Sequence, residues 1–311
     1  MNPKNLSPHT IFHPDVAQAL KNGLPVVALE SAVITHGLPR PENLQLALGL
    51  EQEIRAQGVV PATIAVLDGK IHIGLNSTQL ERLATEKEPR KISRRDFGIA
   101  IARGECGGTT VCGTLIAANS VGIKVFATGG IGGVHRGSTF DVSADLLELS
   151  RSPLVVVCAG AKAILDLPNT LEVLETHGVP VIGYQSDEFP AFYSRESGLA
   201  VNFNAQTAAE IADIARAQWS QGLENAVLVA NPPPVESALP SEQVEKAIQQ
   251  ALAAAKEQDI RGAAVTPFLL DRVNQLSHGA SMHTNLALLR SNASLAAKIA
   301  RELVVPKFRS V

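Results

Sequence analysis

The run Leu154-Val-Val-Val-Cys158 constrains the fold most strongly, because apolar, mostly β-branched residues follow one another there with no polar alternation. Such a run is typical of a strand that is covered on both faces, as in a parallel sheet. Similar short runs occur at 25–29, 124–128, 179–184 and 226–230. Segments with helical spacing of apolar residues lie between them. The sequence therefore predicts alternating strands and helices around a parallel-rich sheet.

A predicted hairpin selects between two architectures. About seven strands would also allow a (β/α)8 barrel. However, 63–67 and 71–73 flank Asp68-Gly69, a dipeptide typical of a type I′ turn. A clean barrel does not contain such an antiparallel pair, so we favour a three-layer αβα sandwich with a mixed, mostly parallel sheet. No long polar linker divides the chain, which predicts a single α/β catalytic domain over residues 1–311, with residues 1–19 as an N-terminal extension.

Composition excludes several classes of protein. A net charge of −3 and 4% aromatic residues do not favour binding of a nucleic acid polymer or an anionic membrane. No window approaches the roughly 18 continuous apolar residues of a membrane span, and the start of the chain lacks the apolar core of a secretory signal. Cys106, Cys112 and Cys158 contain no Cys-x-x-Cys pair. We expect a cytoplasmic protein with reduced thiols.

Lys162 follows the strand that ends at Cys158. Ligands of open α/β sheets bind beyond the carboxyl ends of the strands, which is where Lys162 is expected. An ammonium beside so much hydrocarbon is costly to charge, and a neutral amine is a nucleophile for sugar aldehydes. The alternative is a lysine that extends to solvent at a strand end.

Two further strand ends carry groups suited to catalysis or binding. Glu30 follows the first strand, where a buried carboxyl group could transfer protons or simply form an ion pair. The run Ala127–Gly137 is rich in glycine, and its backbone N–H groups could surround a phosphate. This run matches neither the Rossmann fingerprint nor a P-loop, and a mobile surface loop is the alternative. His135 lies inside it as an additional polar group.

Asp141-Val-Ser-Ala-Asp145 places two carboxylates and a hydroxyl within five residues. In a helix Asp141 and Asp145 would share a face and could hold a divalent cation, although helix capping is the simpler interpretation. Lys91-Ile-Ser-Arg-Arg-Asp96 contains three cations that could hold a mononucleotide phosphate or merely be solvated. The segment Gly107–Thr110 is expected to open a helix that could bind an anion. Asn285, on a late helix, could bind an amide or imide edge, or be a buried cap.

These segments together resemble the pseudouridine-5′-phosphate glycosidase family, also called indigoidine synthase A-like. The resemblance extends from about Leu20 to the last helix. It rests on long motifs, among them Glu30-Ser-Ala-Val-Ile-Thr-His-Gly-Leu-Pro39, Lys91-Ile-Ser-Arg-Arg-Asp96, Gly107-Gly-Thr-Thr110, Phe126-Ala-Thr-Gly-Gly-Ile-Gly-Gly-Val-His-Arg-Gly137, Cys158-Ala-Gly-Ala-Lys162 and Asp187-Glu-Phe-Pro-Ala-Phe192. The stretch between Gly137 and Asp141 is two residues shorter than is usual in the family.

The resemblance implies an αβα fold, a homotrimer and a manganese ion. It implies the reversible cleavage of pseudouridine 5′-phosphate to uracil and ribose 5-phosphate, in pseudouridine catabolism, through ring opening and a lysine Schiff base. By the same resemblance Lys162 is the nucleophile, Glu30 the proton donor and Asp141 the metal ligand. The residues that it implies for substrate binding are Lys91, Val111, Ser143, Ala144, Asp145, Thr128, His135 and Asn285.

Two other functions share some of these features. A Schiff-base aldolase on a barrel would also use a lysine at a strand end and a glycine-rich phosphate loop, and product analysis would separate it from a glycosidase. A non-catalytic sensor of sugar phosphates would bind tightly without turnover and would tolerate Lys162→Arg.

Overall fold

The computed structural model describes residues 7–137, 141–260 and 265–305. The strands are β1 (Thr10–Phe12), β2 (Val26–Leu29), β3 (Val60–Leu67), β4 (Lys70–Ile73), β5 (Arg90–Ile92), β6 (Gly107–Thr109), β7 (Val125–Ala127), β8 (Val134–His135), β9 (Val155–Cys158), β10 (Leu165–Asp166), β11 (Val181–Tyr184), β12 (Phe203–Ala205) and β13 (Val227–Ala230). The helices are α1 (Pro14–Lys21), α2 (Glu42–Ala56), α3 (Ser77–Thr85), α4 (Phe97–Arg103), α5 (Val111–Ser120), α6 (Ala144–Leu149), α7 (Leu167–Thr176), α8 (Ala208–Ser220), α9 (Ser241–Glu257), α10 (Val265–Leu276) and α11 (Ala280–Val304).

The main sheet is open and mixed. Its strand order is β1-β4-β3-β2-β7-β9-β13-β11-β12, and β6 joins β5 to β3. All neighbouring pairs from β3 to β12 along this order are parallel, whereas β3 pairs antiparallel with β4 and β6. The predicted αβα class with a mixed, mostly parallel sheet is confirmed, and the barrel alternative is wrong.

Burial on both faces explains the apolar composition of the central strands. Val155, Val156 and Val157 of β9 are 0% exposed. The long helix α11 contacts β2, β7 and β9 and packs on α2 and α8, while α5 packs on α6 and contacts β2 and β3. Each fully buried valine contributes about 1.5–3 kcal/mol of transfer free energy. The strands that carry the site are therefore fixed by helices.

The β3–β4 hairpin has the predicted turn, because Asp68 and Gly69 both adopt positive φ angles, of 50° and 68°. The prediction that Gly107 opens a helix is wrong. Gly107–Thr109 forms β6, and α5 begins at Val111 with the Thr110 hydroxyl as its N-cap. The backbone of β6 is used in pairing with β3 and β5, so it is not available to an anion.

The N-terminal segment joins the edge of the sheet. β1 pairs in parallel with β4, and Val16 and Ala19 of α1 are buried in the main core. Residues 10–21 therefore pack on the sheet, although residues 1–19 were expected to be an extension. That residues 1–311 form one domain stays a prediction, which the continuous sheet supports. Within the residues that the structure describes, no helix combines the length and apolar character needed to cross a membrane.

Candidate active site

Polar side chains follow three adjacent parallel strands at the point where each strand ends. Glu30 follows β2, Thr128 follows β7, and Lys162 lies four residues beyond β9. The carboxyl ends of parallel strands meet at one edge of a sheet, which is the usual place for a ligand. The structure thus brings together the two residues predicted for catalysis.

Two cavities meet at Lys162. The first, of about 460 Å³, is lined by Glu30 and by side chains of α10 and α11, and the second, of about 1330 Å³, by β5, the segment after it and the start of α6. Lys91, Lys162 and Thr266 line both. A ligand with two chemically different parts could therefore place their junction at Lys162.

Backbone hydrogen bonds fix the turn that carries Lys162. Its N–H donates to the carbonyl oxygen of Ile131 at 3.0 Å, and the Ile131 N–H donates to the Gly160 carbonyl oxygen at 3.1 Å. Gly160 has a φ of 86°, and a Cβ there would collide with the Pro190 carbonyl oxygen. The Lys162 side chain is half-buried, and in the described part of the chain no group lies within hydrogen-bonding distance of its amine.

The environment of Glu30 favours a protonated carboxyl group. Burial raises its pKa above the usual value, and Asp145 adds to this effect. The positive charges of Lys162 and Lys91 and a hydrogen bond donated by the Thr128 hydroxyl oppose it. A raised pKa makes a carboxyl group better suited to donate a proton than an ordinary surface carboxylate is.

Lys91 places a second amine beside Lys162. Its side chain is exposed to both cavities, yet the surrounding protein desolvates the ammonium group. This desolvation, followed by repulsion from Lys162, lowers the pKa of Lys91, while Asp145 and Glu30 oppose the shift. The four charged groups therefore form one electrostatic cluster at the edge of the sheet.

Asp145 joins the glycine-rich loop to α5. One carboxylate oxygen accepts the N–H of Cys112 and the other accepts the N–H of Gly132, both at 2.8 Å. A Cβ at Gly132 would lie 2.7 Å from Oδ2 of Asp145. Ser143 is the N-cap of α6, and Asp141 precedes the helix, so the two aspartates do not occupy one helical face. The i, i+4 arrangement considered for a metal site is wrong.

Asp141 is the predicted metal ligand. Its side chain is 58% exposed, and its Oδ2 lies 3.9 Å from Nδ1 of His135 in the second cavity. Within the described residues no group of three or more His, Cys, Asp or Glu side chains could hold a metal ion. One carboxylate fits a hard divalent ion that keeps most of its waters. Residues 138–140, where the loop is shortened, lie outside the described residues.

Of the three cations in the 91–96 segment, the structure separates Arg94 from the others. Nε and Nη2 of Arg94 donate to Oε2 of Glu148 at 2.8 and 2.6 Å, and Glu148 is 4% exposed. Arg95 lines the second cavity, and within the described residues it has no hydrogen-bond or ion-pair partner. Lys91 and Arg95 therefore remain available to an anion.

Most of the residues predicted to contact substrate line one of the two cavities, whereas Thr128 and Val111 do not. Lys91, Ser143, Ala144, Asp145 and His135 line the second cavity, and Asn285 lines the first. The Thr128 hydroxyl donates a hydrogen bond to the Glu30 carboxyl group. Val111 is 1% exposed as the first residue of α5, which leaves only its backbone for a ligand.

Sequence reasoning missed the apolar wall of the first cavity. Phe192 and Leu289 supply apolar side chains to this wall, and Thr266 and Asn274 of α10 line the same cavity. Phe192 has a φ of 63°, a left-handed conformation that a bulky residue rarely adopts. Neither feature has a local sequence signal, because distant segments assemble the wall.

Comparison with known proteins places the chain in a family. The model of the family "Indigoidine synthase A like protein" matches residues 15–302. A pseudouridine-5′-phosphate glycosidase from Geobacillus kaustophilus is 54% identical over 94% of this chain and 98% of its own length. One from Caldanaerobacter subterraneus is 53% identical over 93% of this chain and 95% of its own.

Solved structures agree with this placement. The prealnumycin C-glycosynthase AlnA, in complex with ribulose 5-phosphate, is 39% identical with a TM-score of 0.89, over 96% of this chain and 98% of its own. An indigoidine synthase A-like protein from Thermotoga maritima is 36% identical with the same TM-score, over 96% and 99%. The predicted resemblance is confirmed: this chain belongs to the indigoidine synthase A-like family.

Proposed function

We propose that this chain reversibly cleaves the C-glycosidic bond of pseudouridine 5′-phosphate to uracil and ribose 5-phosphate. The observation that carries the proposal is that Lys162, whose amine has no hydrogen-bond partner in the described residues, shares a cavity with Glu30, a buried carboxyl group whose pKa is raised. The similarity to glycosidases named for this substrate supports it.

The bond to be broken explains why an amine is needed. Pseudouridine joins ribose C1′ to uracil C5 through carbon, so protonation of a ring nitrogen creates no leaving group. The paired carboxylates of an ordinary glycosidase are poorly suited to this reaction. As the ring opens, the bond from C1′ to the ring oxygen breaks and the Lys162 amine bonds to C1′. Protonation of C5 then lets the C1′–C5 bond break while the nitrogen lone pair forms a protonated imine with C1′. Water hydrolyses this imine and releases ribose 5-phosphate and the free lysine.

Glu30 is the proton carrier in this scheme. It donates to the ring oxygen as the sugar opens and recovers a proton from the Lys162 nitrogen as that atom bonds to C1′. It then donates to C5 as the carbon–carbon bond breaks and recovers a proton from the water that hydrolyses the imine. Burial raises the pKa of Glu30 above the usual value, which favours the protonated form that a proton donor requires. General acid–base catalysis of this kind contributes roughly 10²–10⁴-fold in rate.

The two cavities suit the two parts of the substrate. In the second cavity, Arg95, Lys91 and the backbone near Ser143 would hold the phosphate. In the first, the amide of Asn285 would meet the imide edge of uracil, since within the described residues it has no hydrogen-bond partner. Binding of the distant phosphate would stabilise a distorted sugar at Lys162.

Manganese is proposed as the cofactor, with Asp141 as its protein ligand through waters. When bound, such an ion neutralises negative charge and orders water. We propose in addition a homotrimer in the cytoplasm. Neither a nucleic acid polymer nor a membrane is a proposed partner.

The test is incubation with pseudouridine 5′-phosphate and manganese while free uracil is followed. Lys162→Ala should abolish uracil release, because it removes the amine that is proposed to form the imine, and should retain phosphate-dependent binding. Lys70→Ala, which changes an exposed lysine at the start of β4 that lines neither cavity, is the matched control and should retain turnover. Borohydride should trap a sugar adduct on Lys162. An adduct at another residue, or tight binding without turnover, would contradict the proposal.

A further inference from the structure

A buried asparagine interrupts the apolar face of α11. Asn292 is 0% exposed and is surrounded along the helix by the buried residues Leu288, Leu289 and Ala293. An unpaired amide at such a position would be strongly destabilising. Its partners therefore indicate what the residue does.

Asn292 binds the turn that follows β7. Its Nδ2 donates to the carbonyl oxygen of Thr128 at 2.8 Å and lies 3.5 Å from that of Gly129. Its Oδ1 accepts from Nδ2 of Asn231 at 2.9 Å, and Asn231 also donates to the Ser291 hydroxyl at 3.0 Å. Because carbonyl oxygens only accept, the Thr128 contact fixes which end of the Asn292 amide faces the turn.

The turn is held from both sides. The Thr128 N–H donates to the Val157 carbonyl oxygen at 3.0 Å, while Asn292 holds the Thr128 carbonyl oxygen. α11 packs closely here, since a Cβ at Gly129 would lie 3.2 Å from Leu289. The Thr128 hydroxyl, whose direction this backbone sets, donates to Glu30.

We propose that Asn292, supported by Asn231, is a positioning residue that aims the Thr128 hydroxyl at Glu30 and thereby sets the protonation of the catalytic acid. This inference deepens the proposed function and rests on it for the role of Glu30. Neither asparagine lines either of the two cavities. Together they form an amide clamp (Asn231 and Asn292) beneath the site.

The proposal predicts the direction in which the pKa of Glu30 changes when the amide clamp is removed. The Thr128 hydroxyl stabilises the ionised carboxylate, so loosening it should raise the pKa of Glu30 further. The other groups that act on Glu30 are Lys162, Lys91 and Asp145, which lie after β9, in β5 and in α6. They should therefore be unchanged when the clamp is removed.

The experiment follows the Glu30 carboxyl carbon by NMR in full-length protein labelled with ¹³C-glutamate, with Glu30→Gln used to assign the signal. Asn292→Ala should move the titration midpoint to higher pH by roughly one to two units, the size of one hydrogen bond to a charged group. Thr128→Val should move it similarly. In the Thr128→Val background, Asn292→Ala should add nothing further.

A wild-type midpoint in folded Asn292→Ala, or an equal shift in the Thr128→Val background, would overturn the proposal. If Asn292→Ala does not fold, Asn231→Ala provides the test. The proposal predicts a smaller shift of the Glu30 titration midpoint to higher pH in this variant, and a wild-type midpoint would contradict it. Asn225→Ala is the control, because its amide also donates to a carbonyl oxygen, that of His177 at 2.8 Å, but before β13 at the opposite edge. It should leave the midpoint unchanged. The titration needs no turnover, so absent uracil release would count against the proposed function alone.

Discussion

At the scale of single residues, the site places an acid where its charge is costly. Glu30 is surrounded by protein, and only part of the resulting penalty is offset by Lys162, Thr128 and Lys91. A carboxyl group whose folded-state pKa is raised binds protons more tightly in the folded state than in the unfolded chain. Its contribution to stability is present below the unfolded pKa and is lost as the pH rises through the folded pKa.

Glu30→Gln should therefore separate activity from stability. Without the acid, kcat/KM for uracil release should fall roughly 10²–10⁴-fold. At pH 8 the variant should be more stable than the wild type by about 1 kcal/mol, because it removes a buried charge, and this advantage should vanish near pH 4. Denaturant unfolding at both pH values checks the sign. A variant that is less stable at pH 8 would contradict the assigned effect of burial.

Substitutions of two neighbouring arginines should likewise affect activity and stability separately. Arg95→Ala should raise the KM for pseudouridine 5′-phosphate about tenfold with an unchanged melting temperature, because its guanidinium faces the second cavity. Arg94→Ala should lower stability by about 2 kcal/mol, since it leaves the buried Glu148 without its cation. Steady-state kinetics and thermal unfolding of the two variants test this, and the opposite pattern would exchange the two roles.

At the scale of elements, the sequence predicts strands and turns well where a single local property, such as burial on both faces or a positive φ angle, determines the structure. β9 is recognisable because burial on both faces requires an unbroken apolar run, and the β3–β4 turn because Asp68-Gly69 accepts positive φ angles. Polar residues that directly follow parallel strands also show, from local sequence alone, which edge of the sheet carries the site. Glu30 and Lys162 could therefore be found without coordinates.

Elements defined by distant partners could not be found in this way. Gly107–Thr109 resembles a helix start but is a strand, because pairing with β3 and β5 outweighs local preference. Likewise Arg94 is separated from Glu148 by 54 residues, and Asn292 from Thr128 by 164. A polar residue in the apolar stripe of α11 was a visible signal, but its partner was not.

At the scale of the whole molecule, α1 packs on the sheet although it lies mostly within the segment that was expected to be an N-terminal extension. Val16 is 1% exposed against the sheet, while Gln18, two residues later on α1, is exposed. Val16→Asp should therefore destabilise the protein by at least about 3 kcal/mol, through lost burial and a desolvated charge. Gln18→Asp, the matched control, should change stability by less than about 0.5 kcal/mol.

The site lies at a different edge from α1, at the carboxyl ends of β2, β7 and β9. Folded Val16→Asp protein should consequently keep the wild-type kcat/KM for uracil release, measured well below its lowered melting temperature. Equal, mild effects of Val16→Asp and Gln18→Asp on chemical unfolding would instead mean that residues 1–19 are an appendage. A loss of stability confined to Val16→Asp, with kcat/KM retained, would mean that the fold includes α1 and that the catalytic edge tolerates damage where α1 packs on β2 and β3.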